Sequence, residues 1–483
     1  MGKIEGKFGK ILSSAEIRGI HETSMRILSE IGIKVNHTEI LSLLGEAGAV
    51  INKETKIARI PEHCVVKGIK KSKKRYVLYG REAGKIAEFG YGKQLFMSSG
   101  GQYIWIDEVT GQRRPGNLND SRTAILIGDA LEGIDIVGAF VLPAEIPSEV
   151  RDIHLYAELI KNTGKPCFTW VNNGKTAKYI IEMFKVVAGG EEKLRDKPMI
   201  EAFVEPISPL QFSKEGLEIL IEFAKLGLPV GFGPMAMTMA TAPATLAGTI
   251  AQENAEILAG ITISQLLSPG LPVNYWGIPH IMDPASGNIS FGSPEQGLMA
   301  AAITELAKSY GFPVGINVGL TDSKLLDVQN GLERGMTLLL GALAGADVFG
   351  HMGIVGADQG GSLVELIIND EMIGYLRRIM RGFYVNKETL AFEVIKRVGV
   401  GGHFLEDVHT LKQFKKELWL PDLFDRNSWE AWNKKENKII LERAIKKKEM
   451  ILREHKVKPL DQSIANQIDE IVKEADKDIL GRG

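Results

Sequence analysis

Aromatic residues make up only 7 % of the 483-residue chain, yet Tyr103, Trp105, Trp170, Tyr275 and Trp276 all fall at or beside the ends of short apolar runs. Aromatic faces gathered at one place attract a quaternary ammonium by cation–π interaction. Titrating groups at the same positions are few: Glu205, His280, Asp322 and His351, with the amides Asn172 and Asn317 near them. Nucleophilic hydrolysis needs an activated Ser or Cys, a His base and a third orienting group. Neither Cys64 nor Cys167 sits in such a motif, and no Gly-x-Ser-x-Gly occurs. A metal-dependent lyase or hydrolase could use Glu205, His280, Asp283 and His351, with Asp322 as a further ligand, but no His-Glu-x-x-His or Cys-x-x-Cys spacing supports it. The last apolar run empties into a loop with five glycines, Gly350, Gly353, Gly356, Gly360 and Gly361, where backbone can approach a flat group closely.

The elements that position these residues recur along the chain. Apolar runs begin near Ile134, Pro166, Pro198, Pro229, Pro272, Pro313 and Ala346, at steps of 32, 32, 31, 43, 41 and 33 residues. Helix-like stretches are expected between them at 150–162, 217–226, 243–267, 294–310 and 330–344. This is strand–helix alternation at βαβ spacing, and runs without two-residue alternation fit parallel strands covered on both faces. With the run at 95–106 there are eight strands, which predicts an α/β fold of the (β/α)8 TIM-barrel type, whose working residues lie at the C-terminal strand ends. An open doubly wound sheet is the alternative. Its best phosphate-turn candidate, Gly231 to Ala236, is a lone Gly-x-Gly-x-x-Ala match interrupted by Pro234.

Three segments follow: a helical and β-rich N-terminal extension over 1–95, the barrel over 96–386, and a charged helical segment over 387–483 expected to make an oligomer contact. The 58 Lys and Arg against 60 Asp and Glu give a net charge of −2, which argues against a nucleic-acid partner. The uncharged stretch 226–252 contains three prolines and reads as strand, loop and buried helix, so no membrane span is expected. Two cysteines and no apolar leader fit the cytoplasm.

Several segments resemble the trimethylamine methyltransferase superfamily of corrinoid-dependent enzymes. They include Thr241 to Gly248 (TAPATLAG), Gln252 to Gly260 (QENAEILAG), Pro279 to Asp283, Gly292 to Glu295, Thr321 to Lys324, Gly401 to Leu405 and Leu423 to Arg426. The resemblance implies a (β/α)8 barrel that passes a methyl group to the Co(I) of a corrinoid (cobalamin) carried by a separate, cognate corrinoid protein, with no metal or nucleotide of its own. Every residue is an ordinary one, so the chain looks like the non-pyrrolysine branch, some members of which demethylate glycine betaine and related quaternary amines. On that reading Tyr103, Tyr275 and Trp276 are expected as cage walls, and His351 and Asn317 as hydrogen-bond partners of the substrate. Asp322, His351 and Glu205 are expected in the chemistry, Asp322 and Lys324 as an ion pair framing the mouth. Gly350, Gly353, Gly356 and Lys324 are expected to receive the corrin. A homo-oligomer is expected.

Overall fold

The structure is a computed structural model that describes residues 10–107, 110–436 and 439–481. Its centre is a set of short parallel strands, labelled here β1 (Leu95–Ser98), β2 (Val137–Gly138), β3 (Cys167–Phe168), β4 (Ala202–Val204), β5 (Val230–Phe232), β6 (Val273–Gly277), β7 (Val314–Ile316) and β8 (Val348–Met352). Six form one parallel sheet in the order β4-β5-β6-β7-β8-β1, with Val230 opposite Val273, Gly315 opposite Val348 and Val348 opposite Leu95. β2 and β3 form a parallel pair, and a bridge from Met97 to Ile136 carries β1 on to it. Among the described residues no ladder joins β3 to β4. The fold is therefore mixed α/β around a parallel sheet that runs as a curved succession of neighbours.

The helices expected between strands are present, at Arg151–Asn162, Lys214–Lys225, Leu246–Leu267, Pro294–Tyr310 and Val328–Ala344. Leu246–Leu267 is buried on nearly every face, so its polar residues need partners inside the protein. Asn254 Oδ1 accepts from Tyr275 Oη at 3.0 Å, and its Nδ2 donates to Ser24 Oγ at 2.8 Å. Glu256 accepts from the Leu210 amide at 2.8 Å, and Glu253 from the Ile278 amide at 2.7 Å. The QENAEILAG segment thus ties the outer layer to the sheet. Among the described residues no helix is long and apolar enough to cross a membrane.

A hairpin, Tyr76–Tyr79 paired with Ile86–Phe89, contributes Tyr76, Leu78, Ala87 and Phe89 to the same apolar cluster as Leu95, Met97, Ile136, Phe168, Trp276 and Val348. It plugs the N-terminal end of the strands, with Tyr76 and Phe89 stacked at 4.5 Å. Beyond the helix Leu363–Arg381, the short helices Phe392–Val398, Val408–Glu417 and Trp429–Asn433 bury no residue, whereas Ile440–Glu454 and Gln462–Leu480 pack on the outer layer.

Candidate active site

Side chains alternate across a strand, so every second residue points to the interior. On β4 and its ends the inward set is Glu201, Phe203 and Glu205; on β3 it is Phe168 followed by Trp170; on β6 it is Asn274 and Trp276. Trp276 fills space that four glycines leave open. A Cβ on Gly231, Gly233, Gly315 or Gly350 would stand 2.7, 2.7, 2.4 and 3.4 Å from its atoms. Below it Glu201 is enclosed by protein and takes a hydrogen bond from Tyr76 Oη. Burial pushes the Glu201 carboxyl up to about 7.

Above Trp276 the rings meet edge to face. Phe203 lies 5.6 Å from Trp276 and 5.3 Å from Trp170, at 80° and 72°. Phe168 meets Trp170 at 5.2 Å and 77°. The His351 imidazole stacks on Trp170 at 5.6 Å and 28°. His351 has φ +69°, a left-handed backbone that turns its ring in from β8, and its Nδ1 accepts a long 3.5 Å hydrogen bond from the Gly100 amide. Burial and then the nearby His280 press the imidazole down to about 4, so it is neutral at pH 7. Trp170, Phe203 and His351 are half-buried, which leaves ring surface free toward the C-terminal face.

Two carboxylates stand over this aromatic layer. Glu205 follows β4; Asp358 arrives from the loop after β8, held by Gln102 Nε2, which donates to its Oδ1 at 2.9 Å. Both residues are exposed by surface area, although protein packs densely around their carboxyl groups. Desolvation, followed for Glu205 by repulsion from Asp358, raises Glu205 to about 7. Desolvation, partly offset by Gln102, raises Asp358 to about 6. The Asp358 loop is strained: Gly356, Ala357 and Asp358 all have positive φ, at 65°, 57° and 64°. Amide bonds from Gly356 to the Ser323 carbonyl at 2.9 Å and from Ala357 to the Thr321 carbonyl at 3.0 Å hold it in place.

Several expected site residues stand elsewhere. Tyr275 is not a cage wall. It occupies the outward register of β6, fully buried between Phe312 and Asn254 on the helix side. Tyr103 is at the rim, 70 % exposed and outside the aromatic layer. Asp322 and Lys324 do not form an ion pair: Lys324 Nζ donates to the Asp322 carbonyl at 2.7 Å, while the Asp322 carboxylate takes the Ser290 hydroxyl and, at 2.7 Å, the Phe291 amide. Asp322 therefore clamps a loop. Gly350, Gly353 and Gly356 are buried; a Cβ on Gly353 would strike Phe140 at 2.5 Å, and Gly350 makes room for Trp276.

Asn317 is 6 % exposed, and its Oδ1 has no partner and lies beside the inward position of Gly350. His280 is fully buried, with Nδ1 on the Ile278 carbonyl at 2.7 Å. Asp283 is caught in a turn by the Ser286 hydroxyl at 2.6 Å. Among the described residues no three His, Cys, Asp or Glu side chains group as metal ligands. The site also contains residues the sequence reading passed over: Phe168, Phe203, Gln102 and Asp358. Phe168 and Phe203 were legible, because each lies two residues before a residue already singled out and so shares its face.

A family model described as "Trimethylamine methyltransferase (MTTB)" matches residues 4–479. The chain belongs to the trimethylamine methyltransferase family. Within it, the chain is 32 % identical over 477 residues to "Trimethylamine methyltransferase MttB" of Desulfitobacterium hafniense (strain DSM 10664 / DCB-2), covering 99 % of this chain and 96 % of that protein. It is 32 % identical over 483 residues to "Glycine betaine methyltransferase" of Desulfitobacterium hafniense (strain Y51), covering 99 % of each. In fold it is similar to the Methanosarcina barkeri monomethylamine methyltransferase MtmB, with a TM-score of 0.50 at 12 % identity over 96 % of this chain and 89 % of that one. A hydroxylamine complex of MtmB gives a TM-score of 0.51, also at 12 % identity, over 98 % of this chain and 89 % of that one.

Proposed function

We propose that this member of the methyltransferase family transfers a methyl group from a quaternary amine, glycine betaine or a related compound, to the Co(I) of a corrinoid carried by a cognate partner protein. The observation that carries the reading is the aromatic layer of Trp170, Phe203 and the neutral His351 at the C-terminal strand ends, overhung by Glu205 and Asp358. The ring faces and carboxylates stabilise a cation, and the fixed geometry presents one methyl toward the open side. In the displacement the N–CH3 bond breaks and its electron pair stays on nitrogen, releasing a neutral tertiary amine. Co(I) supplies the pair for the new Co–CH3 bond. The leaving group needs no proton, which fits a layer whose imidazole is neutral. Asn317 and His351 contact the substrate's polar atoms, and Tyr103 covers it from the rim.

On this reading the eight strands close into a (β/α)8 barrel between 96 and 386, supported by the Met97–Ile136 bridge and by the 6.3 Å approach of Phe168 to Phe203 where β3 meets β4. The partner's corrin docks on the C-terminal face. The segment 387–483 makes the homo-oligomer contact, supported by the exposed Phe392, Leu405, Leu411 and Trp429. The test is product analysis: with a reduced corrinoid protein and a panel of quaternary amines, a demethylated tertiary amine should accumulate for at least one. None with any amine overturns the reading.

A further inference from the structure

An outer helix of a globular protein buries an apolar stripe and shows its polar side to water. The helix Val328–Ala344 does the reverse. Its only charged residues are Glu333 and Arg334. Asn330, Arg334 and Thr337 are buried: Arg334 pairs with Glu365 at 2.9 Å, Asn330 Nδ2 donates to the same carboxylate at 2.9 Å, and Thr337 Oγ1 accepts from the Gly319 amide at 3.0 Å. Glu333 accepts from the Thr321 hydroxyl at 2.5 Å and the Asp322 amide at 2.8 Å. The outward side is left with Val328, Leu332 and Met336, which are 86, 62 and 55 % exposed, and with the half-buried Leu339 and Leu343. At 3.6 residues per turn these five fall within one arc of roughly 80°. No charge lies among them, and Gln329 at the edge is turned to Glu333 at 2.7 Å. Such a stripe belongs against another protein surface.

The stripe runs between two grooves. On one side Leu338, Leu339, Met372, Tyr375 and Phe424 line an apolar hollow of about 300 Å³; on the other Leu340, Leu343, Ile17 and Tyr310 line one of about 900 Å³. A ridge with grooves beside it is the shape that two copies of one helix offer each other, and a self-complementary surface closes about a two-fold axis. The first groove leads through Phe424 and Trp419, 6.0 Å apart, to the segment 383–420, where Phe383, Val385, Phe392, Leu405 and Leu411 are also largely exposed. Large apolar side chains exposed to this extent present on the order of 100 Å² each, so stripe and segment together offer about 800 Å² per copy, the area that a stable interface buries on each partner. A partner that comes and goes needs less. The net charge of −2 lets two copies meet without strong repulsion.

We infer that the helix Val328–Ala344 is the centre of a two-fold contact between two copies of this chain, in which Leu332 and Met336 of one copy enter the groove beside Leu339 of the other. The inference extends the reading of 387–483 as a homo-oligomer contact and rests on it for the flanking area alone.

The test is sedimentation velocity of the full chain without substrate or corrinoid protein, together with bismaleimide cross-linking of introduced cysteines, since Cys64 and Cys167 are buried. The parent should sediment as a dimer or an even multiple of one. Leu332→Asp should weaken association at least about tenfold, with a thermal melt matching the parent. Leu332→Cys should give a covalent dimer, and Lys178→Cys, exposed on the helix Gly174–Ala188, should give none. If Leu332→Asp does not fold, the Leu332→Cys cross-link decides. A monomeric parent, an oligomer in which Leu332→Cys gives no covalent dimer, or association weakened less than tenfold in a folded Leu332→Asp overturns the proposal. Association lost in Leu405→Asp but kept in Leu332→Asp also overturns it, and leaves the contact through 387–483 standing.

Discussion

The imidazole of His351 lies nearly parallel to the indole of Trp170, with centroids 5.6 Å apart, at the end of a strand whose backbone turns left-handed to put it there. A neutral imidazole against an indole makes a continuous aromatic surface. Protonated, the same ring would repel the cation that the surface suits.

Removing the indole should therefore weaken substrate capture. Trp170→Ala is expected to raise KM for a quaternary amine by about 10- to 30-fold, the size of a desolvated cation–π contact of up to about 2 kcal/mol. Tyr275→Phe, on the helix side of β6, should leave KM within twofold and lower stability by about 1 kcal/mol through loss of its bond to Asn254. Steady-state kinetics and denaturant unfolding of the two variants check this pair. Equal KM effects would place Tyr275 in the pocket after all.

Substrate binding should depend on pH through the carboxylates and not through His351. With Glu205 near 7 and Asp358 near 6, both carry more charge as pH rises from 5.5 to 8, so affinity for a cation should increase across that window. His351, near 4, is neutral throughout. Binding isotherms at several pH values should show the rise, and Glu205→Gln should flatten its upper half.

Stability should move the other way because of Glu201. Its folded-state value of about 7 lies above the ordinary 4.5, so the folded protein holds this proton more tightly than the unfolded chain. That contribution is complete below pH 4.5 and is lost as pH rises through 7. Glu201→Gln should remove part of the decline in melting temperature between pH 5 and 8, measured against the parent. An unchanged slope would show that Glu201 does not hold its proton.

Gly315→Ala should overpack the interior. Its Cβ would stand 2.4 Å from the Trp276 ring, which Gly231 and Gly233 already border from β5. A loss of about 1–3 kcal/mol in denaturant unfolding is expected. Gly331→Ala, on the helix Val328–Ala344 with open space around it, should be neutral or slightly stabilising.

The buried ion pair of Arg334 and Glu365, at 2.9 Å and with no exposed surface, braces the loops after β7 and β8 by donating to the Gly319 and Ile354 carbonyls. Arg334→Met leaves Glu365 with the Asn330 and Asn369 amides but no counter-ion, and should cost about 3–5 kcal/mol by calorimetric unfolding. A loss below about 1 kcal/mol would mean the pair is not the brace.

The strand–helix recurrence was legible because each parallel strand, covered on both faces, is an apolar run of its own, and Val230, Val273 and Val314 sit at the head of theirs. The same continuity hid which face each residue takes: Tyr275 and Trp276 are equally apolar neighbours, and only strand register separates the pocket from the helix layer. Counting in twos from Glu205 reaches Phe203 and Glu201, a signal available without coordinates. Asp358 was not legible. It reaches the site through a left-handed turn pinned to Thr321 and Ser323, about 35 residues earlier in the chain, and no local pattern encodes that contact. The glycines at and after β8 do serve close approach within the chain: Gly350 borders Trp276, Gly353 and Gly361 make room for Phe140, and Gly360 for Ile106.

The central claim is tested most directly by following the cobalamin spectrum of the Co(I) partner protein after adding a quaternary amine, while counting tertiary amine released. One methyl–Co(III) formed per tertiary amine, lost in Trp170→Ala at sub-saturating substrate, is the expected result. Binding of the amine with no methyl–Co(III) from any member of the panel would contradict it.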